Sequence, residues 1–281
     1  MSPSVLIVLV VYLGCAIWSL RISMTSSRLI PTDQYVGLRQ YELLFDNARW
    51  QASVINIGIF GALFVIASLV LGVLLAILID QRVRGENVFR SLFLYPYSMS
   101  FVVTGLVWNW LLNPTYGIEK MGRDLGFSTF KFDWIVSQSM VVYTLVFAAV
   151  WHAAGLVMAI ALAGLRGIDP DIWKASRVDG IPASRTYLQI VLPMMGGALA
   201  TATILLTLSV VRLYDLVVVM TKGGPGLASE VPAKFVVDHL FDRGNIGLAT
   251  AASTVMLVTV LAVIAPWVFV QRMRARKAGA A

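Results

Sequence analysis

The sequence predicts an all-α integral membrane protein of six transmembrane helices, with a helix-turn-helix loop on the cytoplasmic side between the fourth and the fifth. Three observations lead there. Apolar residues make up 58% of the chain and charged ones 13%, with a mean hydropathy of +0.80, which leaves too little polar surface to cover a water-soluble domain. Six stretches come close to or exceed the roughly 20 apolar residues that a helix rising ~1.5 Å per residue needs to cross ~30 Å of hydrocarbon. These runs are continuous and do not alternate at every second residue, so a transmembrane β-barrel is excluded.

In chain order the spans run Ser4 to Leu20, Ser53 to Ile79, Leu92 to Leu112, Met140 to Leu165, Ala198 to Met220 and Leu248 to Val270. The first is the shortest. Its amino end carries no Lys or Arg, so it reads as a retained span and not as a cleaved secretory signal. Residues 1–281 thus form a single transmembrane domain that crosses the membrane several times.

Charge sets the orientation. With both termini cytoplasmic, Arg82, Arg84, Arg90, Arg166, Lys174, Arg177, Arg185, Arg272, Arg274, Arg276 and Lys277 face inward. The outer segments hold nearly as many cations but are longer, and the orienting rule weighs positives in short loops near span ends. The short loop "DQRVRGENVFR" and the tail "QRMRARK" therefore decide it. The net charge of +7 belongs to membrane flanks, facing lipid, and is no nucleic-acid footprint.

Catalytic and metal signatures are missing. No P-loop, GxSxG or HExxH occurs, and the inner loops are too short to house an ATP-binding domain. The chain reads as a non-enzyme without a cofactor of its own; any ATP and Mg would be held by another polypeptide. The single Cys15 lies in the first span as a small hydrophobe, and His152 and His239 are too far apart to suggest a metal site.

The loop from Arg166 to Pro193 is the longest inner segment. Asp169 followed by Pro170 is an N-cap residue before a proline at the first helical position, where its missing N–H costs nothing. Gly180 ends that helix, since glycine accepts the left-handed conformation. Pro182 opens a second short helix, which Pro193 closes. Ile172, Ala175, Ser176 and Asp179 fall on one face of the first helix, and Trp173 projects elsewhere.

From Lys174 this loop reads K-A-S-x-x-x-G, then nine residues, then I-x-L-P at Ile190, Leu192 and Pro193. It resembles the coupling-loop signature of the permease subunits of ABC importers, E-A-A-x-x-x-G-x9-I-x-L-P, with Lys174 in place of Glu and Ser176 in place of the second Ala. The resemblance implies the binding-protein-dependent permease fold, and a loop helix seated in a groove of a separate ATPase. On that basis Trp173, Lys174, Ala175 and Ser176 form the contact surface, and Asp179 and Gly180 the corner. It also implies the partners: a second permease subunit, two ATP-binding subunits and an extracytoplasmic sugar-binding protein.

The run "YDLVVVMTKGGPG" (Tyr214 to Gly226) resembles the end of the fifth core span of sugar permeases, and the segments after it are similar to those of glucose/mannose permeases. This implies a monosaccharide cargo, with the binding protein docking near Gly223 to Gly226 and on the amphiphilic segment Glu230 to Asp242. Resemblance to maltose-importing permeases puts Ala149 to Leu156 and Leu206 to Leu213 beside the path. The substrate-path candidates are Trp108, Asn109, Trp151, His152, Ser209, Arg212, Tyr214 and Asp215. Aromatic faces stack on sugar rings, neutral polar groups bind hydroxyls, and ionisable groups inside spans turn toward the bundle interior or a water-filled cavity. Several also have a packing role open to them: Arg212 and Asp215 as an ion pair on one helix, His152 as a hydrogen-bonded core residue, the tryptophans as interface anchors. The alternative function is an ion-coupled secondary transporter, although no two matching halves are visible.

Overall fold

The computed structural model describes residues 3–81 and 84–278. Arg82 lies outside the described residues, as do the side chains of Arg272, Arg274, Arg276 and Lys277. The helices are α1 (Pro3–Ser23), α2 (Arg39–Phe45), α3 (Ala48–Asp80), α4 (Glu86–Ser98), α5 (Phe101–Leu111), α6 (Ile118–Asp124), α7 (Val141–Arg166), α8 (Pro170–Val178), α9 (Ala183–Arg185), α10 (Leu192–Met194), α11 (Gly196–Val211), α12 (Tyr214–Met220), α13 (Pro232–Val237) and α14 (Ile246–Ala278). Two π-helical turns, Thr186–Val191 and Asp238–Asp242, join α9 to α10 and follow α13.

Among the described residues, four helical stretches are long and apolar enough to cross a membrane by themselves: Val5–Ser23, Ala48–Asp80, Val141–Arg166 and Ile246–Val263. Counting each of two bent pairs as one span gives six. The third predicted span, Leu92 to Leu112, is not one rod: α4 and α5 meet at 98°. Pro96 lies inside α4, and Ser100 takes an extended conformation and accepts a hydrogen bond from Val103 N, capping a fresh helix at Phe101. The fifth predicted span, Ala198 to Met220, breaks at Arg212 and Leu213. The stretch Ala183–Met194 before it meets α11 at 72°. Pro193 does not close the loop's second helix, which runs on to Met194; it stands in the first turn of α10, where a proline is tolerated.

The chain divides into two compact units, one from Met1–Ile57 and Glu230–Ala281, the other from Gly58–Ser229. In the first, α1 lies along α14, and α2 and α13 pack on the start of α14. Leu44, Trp50, Phe235, Leu248, Ala251 and Ala252 form its core. A charge cluster adjoins it. Arg49 donates to Glu230 at 2.8 Å and to Asp238, and Lys234 donates to Asp238 at 2.6 Å. His239 stacks on Phe235, donates from Nδ1 to the Phe235 carbonyl at 2.9 Å and accepts from Arg243. The amphiphilic segment Glu230 to Asp242, expected as a docking surface, is buried or half-buried up to residue 240, with the Glu230 side chain 3% exposed, and Phe241 and Asp242 are open to solvent.

In the second unit α4 packs on α7, α7 on α11, and α5 on α12. The α4–α7 seam is close enough that a Cβ at Gly155 would run into the Phe93 carbonyl oxygen, so only glycine fits. Below it, Ala76 and Ile79 of α3, Met158, Ala161, Leu162 and Leu165 of α7, and Val191 and Met195 form one apolar cluster.

Candidate functional site

The loop helix α8 is fixed at both ends. Asp169 accepts a hydrogen bond from Asp171 N at 2.9 Å, and Pro170 occupies the first turn. At the other end Ile181 N donates to Ser176 O at 3.0 Å and Gly180 N to Arg177 O at 3.2 Å. With Gly180 at φ +67°, that pair of bonds is a Schellman motif, so the chain turns sharply without leaving carbonyls unpaired. No atom lies within 4 Å of where a Gly180 Cβ would stand; glycine is needed there for its backbone angle and not for space.

One face of α8 is seated on its own subunit. Ile172 and Trp173 pack on the apolar cluster of α3, α7 and Met195, and Trp173 meets Tyr187 edge-on at 5.3 Å. Tyr187 in turn accepts from Gln81 at 2.8 Å. Ser176 is 5% exposed and bonds back to Trp173 O at 3.1 Å. Two of the residues expected on the contact surface, Trp173 and Ser176, thus face inward. An indole in an apolar setting gains more from burial than from exposure, and the serine hydroxyl is satisfied within the helix.

The open face carries Lys174, Ala175, Asp179, Gly180 and a residue that sequence reasoning did not single out, Val178 at 87% exposed. Lys174 pairs with Asp171 at 2.8 Å, both well exposed, so it has a local partner of little energetic weight.

The substrate-path candidates do not form one cluster. Trp108, Trp151 and His152 come together between α5 and α7: Trp108 meets Phe147 at 4.8 Å and Trp151 at 5.6 Å, edge-on in both cases. His152 is buried, hydrogen-bonded to Thr104 at 3.0 Å and stacked on Phe101 at 4.4 Å. The Trp108 indole N–H is buried, with no hydrogen-bond partner among the described residues. Asn109 ties α5 to α12, donating to Met220 O at 2.7 Å and Val219 O at 3.3 Å.

Arg212, Tyr214 and Asp215 lie at the break between α11 and α12. Arg212 caps α11 and Asp215 belongs to the first turn of α12, so the expectation of a pair on one helix is corrected. No ion pair joins them among the described residues, and both are exposed. Ser209 is half-buried and bonds back to Leu205 O at 3.0 Å.

Three comparisons bear on these features. The profile of a family described as "Binding-protein-dependent transport system inner membrane component" matches residues 68–276. A probable ABC transporter permease of Pyrococcus horikoshii is 32% identical over 95% of this chain and 92% of its own length. The xylose/arabinose import permease of Haloferax volcanii is 31% identical over 96% of this chain and 85% of its own length. The crystal structure of a bacterial ABC transporter that imports the acidic polysaccharide alginate superimposes with a TM-score of 0.80, covering 98% of this chain and 93% of its matched chain at 15% identity, a likeness of fold.

Proposed function

We propose, from the premise that this chain belongs to the family of binding-protein-dependent transport system inner membrane components, that it is the permease subunit of an ABC sugar importer and forms half of the translocation path. Its cargo is a monosaccharide of the glucose/mannose kind. It works with a second permease subunit, two ATP-binding subunits that hold ATP and Mg, and an extracytoplasmic sugar-binding protein. The chain lies in the bacterial inner membrane with both termini in the cytoplasm.

The observation that carries this reading is the seating of α8. Ile172 and Trp173 bed on the cluster that includes the ends of α3 and α7 and the residue before α11, and Tyr187 braces the indole. Packed interiors transmit displacement because they hold few voids to absorb it. A push on the open face of α8 would move the ends of three membrane helices together, with the corner at Gly180 keeping the helix rigid. ATP closure in the partner would thereby bias the alternating states of the path.

The test is reconstitution with the partner subunits and binding protein in vesicles. Uptake that stops when ATP is depleted and survives a protonophore supports the reading. Uptake that follows an ion gradient in the absence of ATP overturns it in favour of a secondary carrier.

A further inference from the structure

A recess of about 270 Å³ lies in the second unit between the ends of α5 and α12 and the turn that follows α12. Asn109, Asn113 and Thr221 supply its polar lining, Pro114, Pro225 and Met220 part of its apolar wall, and none of its lining residues is charged. We infer that this recess binds a single neutral sugar residue, a station at the mouth of the path; the inference rests on the function proposed above, whose orientation puts this end of the helices outside.

The amides are arranged for one donor and one acceptor. The Nδ2 of Asn109 is held by the Met220 and Val219 carbonyls, which fixes the side chain, and no donor among the described residues reaches its Oδ1. Asn113 is held the opposite way. Its Oδ1 accepts from Thr115 N at 2.8 Å, and its Nδ2 has no acceptor among the described residues. A free carbonyl and a free amide N–H four positions apart suit sugar hydroxyls, each of which both donates and accepts. Thr221 is a preformed wall and not a ligand, for its hydroxyl already bonds Val217 O, Ser229 and Gly223 N. Proline rings and a methionine offer the apolar surface that a pyranose C–H face covers.

Size and charge narrow the class. Pockets for drug-sized ligands run from roughly 300 Å³ upward, so a recess of about 270 Å³ has room for one sugar ring. A uronate would bring a carboxylate into a wall with no cation to meet it, at a desolvation cost that a neutral hexose avoids.

The experiment uses the assembled transporter in nanodiscs without its binding protein. Saturation-transfer NMR is recorded with methyl α-glucopyranoside and with sodium galacturonate as probes. The inference expects transfer to the glucoside and not to galacturonate, and a signal reduced by about three- to ten-fold in Asn113→Asp and in Val136→Trp, the second filling the recess. Loss of assembly in Val136→Trp leaves Asn113→Asp to decide. No transfer to the glucoside in the wild type, equal transfer in Asn113→Asp, or equal transfer to galacturonate overturns the recess as a sugar station. If the glucoside signal is unchanged in both variants while stimulation of ATPase by the binding protein is lost, the recess holds a peptide loop and the inference is likewise overturned. ATP-driven uptake by the same wild-type preparation keeps the importer reading intact in each of these failures.

Discussion

His152 on α7 and Thr104 on α5 meet across a buried seam, with Nδ1 and Oγ1 3.0 Å apart, and Phe101 stacks on the same imidazole. The contact joins α5 to α7 close to the break at Ser100, alongside the contacts of Trp108 with Phe147 and Trp151. His152→Ala removes the hydrogen bond and opens a void. It should destabilise the chain by about 2–4 kcal/mol, measured as thermal unfolding in detergent. An unchanged midpoint would show that the seam is held elsewhere.

Gly180→Val forces a β-branched residue to φ +67°. Left-handed backbone costs such a residue ~1–2 kcal/mol or more, and relief comes only by unwinding the corner. Transport should fall to background while membrane insertion stays at the wild-type level, and Gly180→Asn, which tolerates the conformation, should keep much of the activity. Wild-type uptake by the valine variant refutes the rigid corner.

Trp108→Phe deletes a buried N–H that has no partner among the described residues. Its removal spares a desolvation penalty, so stability should stay level or rise by up to ~1 kcal/mol. Trp108→Ala, which empties the space against Phe147 and Trp151, should cost ~3–5 kcal/mol. Paired melts of the two variants check this; a loss in the phenylalanine variant comparable to that in alanine would mean that the N–H is bonded.

Acid should loosen the first unit in two steps. Burial holds His239 below its ordinary 6.5, a shift to which Arg243 and Arg49 add, opposed by the Phe235 carbonyl and Asp238. Asp238 would be raised by burial, but hydrogen bonds from Lys234 and Arg49 hold it below 3.8. Both groups bind protons more weakly folded than unfolded. Their contributions are present at neutral pH and decline as pH falls, His239 from about 6.5 downward and Asp238 only below about 3.8. His239→Gln should flatten the first decline in a stability-versus-pH series and leave the second in place.

The apolar runs made the long helices legible, since a span must satisfy its own backbone bonds over its whole length. The corner of α8 was legible too, because an N-cap, a proline and a left-handed glycine are local signals. Tertiary partners were not. Nothing near Arg49 announces Glu230 or Asp238, which lie some 180 residues along the chain. The same blindness made Trp173 and Ser176 look like a free surface: helical periodicity names a face but not its neighbour. The break at Arg212 was missed because Arg212 and Asp215 read as a pair on one continuous helix, and the bend between α4 and α5 was missed although Pro96 and Ser100 mark it locally.

Where α4 crosses α7, main chain rests on main chain at Gly155, with no side chain between them to act as a cushion. Two rods meshed in this way behave like gears without backlash: a small roll of one is felt at once by the other. A larger residue there would pry the helices apart along their length. Libraries that randomise α7 should therefore recover glycine at this position even when every lipid-facing site nearby drifts.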